Sequence, residues 1–457
     1  MTGPHPAPRV WLGGGLLGTN ADATRPVLAG LSYQFGVDSD GDLQDVESAT
    51  IEVQIREGGA LQAWVPGTLL AIYHDPIGPG NDFTYFLGRI ARIEAHPDDE
   101  RPGEQRVHIE AVSLDVDLAA LTVESVDSAL AAGSARVWHM AYWLDDGWQL
   151  AAYPVRFPDQ LHAPLHYTGK PYLELLDQFL RAQLLIRRNA SYFKPGIGIT
   201  RQLDVIPDAA REVAPDKLTR EPDGTWTAAP GAPTNAGALL VEIPASNIKA
   251  DAGYAIEPDD LITEVQLNVI NPSVYDQEKK MWEDSDTSAK LSRNSVDTAA
   301  LRHDYGIKPV TLDTDLPEDA GDAVFAPIME HWLTRDGAQW RTKTVQIIDS
   351  DLLDIQTLAY LLAPTSRFSA MLAVSGVSEA RPDLGQPDLR GLVIGGSATW
   401  NGKKWDISLT LARPPQIAPG SGWWTPARIK ANPTFSPGRC NTVGPALTFA
   451  HFKRIGA

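Results

Sequence analysis

Between Val46 and Leu118 the sequence carries four short segments with the two-residue period of β-strands, each bounded by turn chemistry. Thr50 to Arg56 alternates apolar Ile51, Val53 and Ile55 with polar Glu52, Gln54 and Arg56, the pattern of a half-buried strand. Pro66-Gly67 opens a second strand, Thr68 to His74, and Pro76 to Asp82 reads as a loop. A third, longer strand runs from Phe83 to Glu94 through Gly88. Val107, Ile109 and Ala111 then alternate with Arg106, His108 and Glu110. Successive strands without intervening helices predict a small antiparallel barrel or sandwich and argue against a βαβ unit.

At 457 residues the chain has room for two or three domains of about 150 residues each. A hydrophobic content of 43% supplies their cores. The formal charge of −19 argues against gripping a phosphate backbone, which needs concentrated Lys and Arg, and no basic run interrupts the acidity. A single cysteine, Cys440, excludes an internal disulfide framework and a zinc site built on two thiolates. No apolar run reaches the roughly twenty residues of a membrane-spanning helix, and the first residues lack the charged start and apolar centre of a signal peptide. Gly13 to Gly18 lacks the Gly-Lys-Ser/Thr ending of a phosphate loop and reads as part of a flexible arm.

The expected fold class is mainly β with some α: two β-barrel-like units with helical and irregular insertions and extended arms at both ends. Residues 1–30 read as the N-terminal arm and 31–120 as the first barrel-like unit. An insertion region follows over 121–260. It begins with an irregular stretch rich in Trp and Tyr (Trp138, Tyr142, Trp143, Trp148, Tyr153). A helix is predicted over 171–186, with Leu173, Leu176, Leu180 and Leu184 on one face and Pro171 in its first turn. From Pro195 to Pro258 the chain is rich in Pro, Gly and Ala, with a flexible segment over 207–237. A second barrel-like unit is expected over 261–412. Val265, Leu267 and Val269 alternate, as do Val345 and Ile347 with their polar neighbours. Leu352, Ile355, Ala359 and Leu362 have helical spacing up to Pro364, and Met371 to Val377 is a strand candidate. Leu392 to Trp400 and Lys403 to Leu411 flank Asn401-Gly402, a strong hairpin signal because both turn residues tolerate positive φ. Residues 413–457, with the Trp423-Trp424 pair, read as a docking arm.

The most enzyme-like motif is Ala95-His96-Pro97-Asp98-Asp99-Glu100. It resembles the metal signature of zinc-dependent sugar de-N-acetylases, in which a His and one Asp hold the metal and the second Asp activates water. In that family the motif ends a parallel strand and enters a Gly-rich helix. Here Arg101-Pro102-Gly103-Glu104 follows, leading into another antiparallel strand, and no His-x-Asp-His cluster appears downstream. A polar hairpin loop accounts for these residues. Asp38, Asp40 and Asp42 resemble the start of a calcium loop, but Leu43 stands where its Gly is needed and Ala49 where its Glu is needed. His162 and His166 have the spacing of a helical metal pair, which Pro164 between them breaks, so they read as a solvent-facing loop. No Gly-x-Ser-x-Gly elbow is present. The sequence therefore assigns no catalytic, cofactor-binding or metal-binding residue and calls for no cofactor. The tryptophans read mainly as core and interface, with a carbohydrate-binding surface as the alternative.

The order of elements resembles the minor tail or baseplate hub proteins of long-tailed bacteriophages, especially phages of actinobacteria. Four strands carry the first part of the resemblance: Ala49 to Ile55, Pro66 to Ile72, Phe86 to Ile93 with its F-x-G-x-I pattern, and Val107 to Ala111 followed by Leu114 to Leu118. In the second half, Thr263 to Asn271 matches a re-entering strand. Tyr305-Gly306-Ile307, Asp313 to Leu316 and the closing hairpin Leu384 to Leu411 follow in the family's order. The likeness covers roughly 30–412 and implies a structural virion protein with two barrel-like domains per chain. Three copies would then form a pseudo-sixfold ring around the DNA exit channel. The implied partners are other copies of itself, the distal tail protein, the tape-measure protein and distal tip or receptor-binding proteins. DNA would pass without specific binding, and there would be no stable membrane insertion. The implied location is the tail tip of the virion, and host cytoplasm during assembly. No added peptidase or lysozyme-like domain is expected after the second barrel. The alternatives are a carbohydrate-binding tail protein and a metal-dependent hydrolase using His96, Asp98 and Asp99.

Overall fold

The computed structural model describes residues 7–17, 26–37, 47–55, 64–74, 83–128, 130–144, 147–152, 159–207, 218–220, 226–228, 239–249, 262–271, 275–282, 286–293, 303, 306–317, 320–332, 343–353, 358, 361–362, 370–375 and 390–412. Asp38, Asp40, Asp42, Ile355, Ala359, Cys440 and the 413–457 segment lie outside them.

The four predicted strands become β4 (Ser48–Ile55), β5 (Leu69–His74), β6 (Phe83–Pro97) and β7 (Gln105–Ser113). They pair antiparallel in the order β4-β7-β6-β5. Register follows from burial, because a one-residue slip would turn the apolar set to water. Ile51 faces Ile109 and Val53 faces Val107, all buried. On the opposite face Glu52, His108 and Glu94 lie in one row across three strands. Gly88 of the F-x-G-x-I pattern is required by close approach: a Cβ there would sit 2.1 Å from the Val112 carbonyl oxygen.

The N-terminal arm expected over 1–30 is in part sheet. Arg9–Leu12 forms β1, Gly15–Leu16 forms β2, and β3 begins at Val27 and runs to Gly36. β1 pairs antiparallel with β5, and Val10 and Leu12 are buried. β5 would otherwise present an open row of backbone donors and acceptors, and this short strand satisfies them.

The closing elements are β24 (Thr344–Ile347), β25 (Ala370–Ser375), β26 (Arg390–Trp400) and β27 (Trp405–Ala412). The predicted hairpin is present with a longer loop than Asn401-Gly402 alone. Trp400 pairs with Trp405, and the Asn401 side-chain oxygen accepts from the backbone N–H groups of Lys403 and Lys404, drawing both lysines into the turn. β26 also pairs with β3 from Leu31 to Gly36. One continuous sheet therefore joins strands from both ends of the chain, in the order β18-β25-β26-β3-β4-β7-β6-β5-β1-β2, where β18 is Leu239–Pro244.

Within the second half the pairings close on themselves. β18 pairs with β25, β25 with β26, β26 with β27, and β27 with β24. A bridge from Ile248 to Ile347 returns the ring to the chain leaving β18. One core lies beneath both units, with Ile51, Tyr85 and Ile109 in the same cluster as Trp405, Ile407 and Leu409. Trp405 meets the rings of Tyr33 and Tyr85 edge-on at 6.2 and 5.8 Å, and the Tyr33 hydroxyl donates to the Leu362 carbonyl at 2.7 Å. The seam is glycine-lined. A Cβ on Gly36 would lie 2.0 Å from the Ile394 oxygen, and one on Gly395 would lie 2.4 Å from the Val37 oxygen.

The strands expected together over 261–412 are divided. This ring takes β18 from before that range, whereas Glu264–Asn271 (β19) lies in a separate sheet with β22 (Asp286–Arg293) and β23 (Pro309–Pro317). That sheet buries Val265, Leu267 and Val269 against α4 (Asp322–Trp332). Between β19 and β22, β20 (Tyr275–Asp276) and β21 (Met281–Trp282) form a short hairpin.

The Trp-rich stretch is more regular than expected. α1 (Asp115–Ala120) leads into β8 (Thr122–Ser128), which pairs with β12 (Leu165–Pro171). β9 (Ala131–Ala132) pairs with β11 (Leu161–His162), and α2 (Gly133–Trp143) follows β9 directly. The helix predicted over 171–186 is α3 (Tyr172–Ala182), and its buried face is Tyr172, Leu175, Leu176, Phe179 and Leu180, with Leu173 only half-buried. It stops early because Leu184 adopts φ 54°, a left-handed conformation costing a non-glycine residue roughly 1–2 kcal/mol. Burial of Leu184 in the β19–α4 core offsets that cost. β13 (Leu185–Asn189) and β14 (Tyr192–Lys194) then pair with β15 (Gly198–Pro207), which also pairs with β10 (Trp148–Ala152). The Pro/Gly-rich region thus contains a full strand, and β16 (Leu218–Arg220) and β17 (Trp226–Ala228) pair as a ribbon within the segment read as flexible. Among the described residues no helix is long and apolar enough to cross a membrane.

Candidate functional site: a buried polar clamp beneath an exposed helix face

The His-Pro-Asp-Asp segment is the turn between β6 and β7, as the hairpin reading requires, with Pro97 opposite Gln105. Asp98 is buried and spent on that turn. Its carboxylate accepts from the Glu100 N–H at 3.0 Å, from Gln54 Nε2 at 3.3 Å and from Arg106 Nε at 3.3 Å. Burial opposes its charge, but the backbone donor and the Arg106 guanidinium outweigh burial and hold its pKa below the ordinary value. His96 and Asp99 are exposed. Among the described residues no group of three or more His, Cys, Asp or Glu side chains is placed to hold a metal.

His162 was read as solvent-facing and is fully buried in β11. Its Nδ1 lies 2.6 Å from Asp315 Oδ1, and its Nε2 lies 2.9 Å from Gln183 Nε2. Arg136 of α2 completes the cluster. Its Nε is 3.7 Å from Asp315 Oδ2, and its Nη2 donates to the Ala163 carbonyl. The Ala163 N–H donates in turn to the Asp315 carbonyl at 2.9 Å. Arg136, His162, Gln183 and Asp315 all have zero exposure, and Arg136 Nε and Asp315 Oδ2 face each other as an ion pair beyond hydrogen-bond distance.

A β-bulge aims Asp315 inward. β23 alternates exposed and buried residues through Asp313, then buries Thr314, Asp315, Leu316 and Pro317 in succession. The register explains this, because Asn268 pairs with Asp313 whereas Ile270 pairs with Pro317, so the residues between leave the ladder. A neighbouring ion pair, Arg187 Nε to Asp177 Oδ1 at 2.9 Å, fixes β13 to α3. Asp115 accepts from Ser113 and Asn189 and ties α1 to β7 and β13.

Above the clamp, α2 turns Gly133, Arg136 and Met140 inward and leaves Trp138 75% and Tyr142 85% exposed. Leu130 and Leu161 are also exposed. Trp143, by contrast, packs against the insertion core, and Trp148 is buried in it. Trp423 and Trp424 lie outside the described residues. The members of the clamp are far apart in the chain and only His162 sits in a recognised spacing, so no motif brings them together.

No family model matches the sequence, and no curated protein matches it. Among solved structures the chain is similar to a 43 kDa tail protein of prophage MuSo2 from Shewanella oneidensis. The identity is 9% and the TM-score 0.45, covering 89% of this chain and 98% of that one. It is similar to a tail protein from Neisseria meningitidis, at 10% identity and a TM-score of 0.46, covering 91% and 99%. It is also similar to an E. coli component of the type VI secretion system described as resembling the T4 tail proteins gp27 and gp5. There the identity is 8% and the TM-score 0.40, with 90% and 78% covered.

Proposed function

We propose that this chain is a structural, non-enzymatic hub of a bacteriophage tail tip or baseplate. The observation that carries the reading is the seam between β3 and β26. It locks two β units, one from each half of the chain, edge to edge over a single core. Two similar units held rigidly side by side are what a threefold assembly needs to present a pseudo-sixfold ring. In this reading 31–120 supplies the first unit, and the second lies within 261–412 together with β18. The 413–457 segment docks on neighbouring proteins. Three copies surround the DNA exit channel and join the distal tail ring and tape-measure protein to distal tip or receptor-binding proteins. The net charge of −19 suits a channel that passes DNA without holding it. The protein would belong to the virion, in a long-tailed phage of the actinobacterial type. Chemical cross-linking of the full chain tests this: cross-linked trimers are expected, and cross-linking that yields only monomers across micromolar concentrations contradicts it.

A second reading, carbohydrate binding at the host surface, is favoured by the exposure of Trp138 and Tyr142. Aromatic faces of this kind stack on sugar rings. A glycan array on which binding is lost with Trp138→Ala supports that reading, and an array with no binding removes it.

A further inference from the structure

We infer that helix α2 is a releasable latch, held closed by the buried Arg136–Asp315–His162–Gln183 clamp and able to open while the large sheet stays folded. This goes beyond the hub reading and does not depend on it. The apolar anchorage of α2 is thin: Met140 is buried in the insertion core, with Val137 and Trp143 packed against it. Of its eleven residues only Gly133, Arg136 and Met140 are buried, whereas α3, of equal length, buries seven. Its N-cap is Ala132, with no side-chain hydrogen bond to the first turn, and no acidic residue lies at its start or basic residue at its end. A helix of this length is marginal in water without tertiary support.

Polar contacts supply that support. Arg136 reaches both Asp315 and the Ala163 carbonyl, the Gly133 N–H donates to the Gln160 carbonyl, and the Tyr172 hydroxyl donates to the Met140 carbonyl at 3.0 Å. The cores that hold β4 and β7 and that hold the β19–α4 sheet include no residue of α2, whereas the insertion core holds Met140 together with Ala71 and Tyr73 of β5, Leu87 of β6 and Ile270 of β19. Opening therefore uncovers the polar end of β23 and the Met140 edge of the insertion core, and leaves the core beneath β4 and β7 closed. A buried ion pair is well suited to such a junction, because separating it in a dry site is steep whereas re-forming it restores one geometry. The exposed face carrying Trp138 and Tyr142 moves with the helix, so the latch also sets where that face points.

Hydrogen exchange of the full chain, followed by mass spectrometry of its peptides, tests the inference. In the natural protein, amides of 134–143 are expected to exchange through an opening much more frequent than that of β4 and β7. Asp315→Asn is expected to speed exchange of those α2 amides on the order of a hundredfold, with β4 and β7 unchanged. Gln183→Ala, which removes the side-chain contact to His162, is expected to speed them by about tenfold and remains informative if Asp315→Asn does not fold. Equal protection of α2 and β7 in the natural protein overturns the inference. So does a uniform acceleration of all peptides in the Gln183 variant.

Discussion

Replacing Gly36 by alanine probes the β3–β26 seam at its tightest point. The new Cβ would lie 2.0 Å from the Ile394 oxygen and 2.5 Å from the Gly395 Cα, both backbone atoms that cannot rotate away. Two costs add. Forcing one carbon into a closed contact costs about 1–3 kcal/mol, and holding a non-glycine residue at φ 74° costs roughly 1–2 kcal/mol more. The expected destabilisation is therefore about 2–5 kcal/mol, a large part of a typical domain's stability. Gly14→Ala isolates the second cost, since Gly14 has φ 93° with nothing within 4 Å of its Cβ position. Urea unfolding followed by tryptophan fluorescence reads both variants, because Trp400 and Trp405 are buried close to the seam. Gly36→Ala is expected to lose clearly more than Gly14→Ala. Equal losses in the two variants, or a loss below about 1 kcal/mol for Gly36→Ala, would refute it.

Four further outcomes follow from the packing. Burial keeps the phenols of Tyr33, Tyr85 and Tyr172 protonated well above the ordinary value, with Tyr85 and Glu47 adding to the effect at Tyr33. Below about pH 10 they are protonated in both states; above it the unfolded chain loses protons first, so stability falls as pH rises. The slope is about 1.4 kcal/mol per tyrosine per pH unit, and absorbance at alkaline pH should show these phenols ionising only with unfolding. Asp98 behaves in the opposite sense. Its lowered pKa stabilises the fold above about pH 4, and that contribution is lost as pH falls through the folded value, so Asp98→Asn should flatten the acid limb of melting temperature against pH. Asp177→Ala leaves Arg187 buried without its carboxylate and should cost about 3–5 kcal/mol in urea unfolding. Asn401→Ala removes the acceptor for two loop amides and should cost only about 0.5–1.5 kcal/mol in the same assay.

How much of this was legible depends on distance along the chain. The strands from Leu69 to Ser113 and the Trp400–Trp405 hairpin pair with near neighbours, and β4 carries its own alternation although it pairs with the distant β7, so alternation and turn residues locate them. β1 was missed because four residues among Pro and Gly carry no period of their own; the free edge of β5 makes them a strand. The second ring was drawn too far along the chain, since nothing local in Leu239–Pro244 announces a parallel partner at Ala370–Ser375. His162 was read from Pro164 beside it, whereas its environment is set by Asp315, 153 residues away and turned inward by a bulge that alternation cannot foresee. The same separation hides the clamp, of whose four residues only His162 stands out in the sequence.

The central claim is that the two joined β units serve a threefold ring, and the mass of the assembled particle tests it most directly. Native mass spectrometry of the full chain at micromolar concentration should give a species of three times the 49.6 kDa chain mass. A particle that stays at the mass of one chain across the concentration range contradicts it.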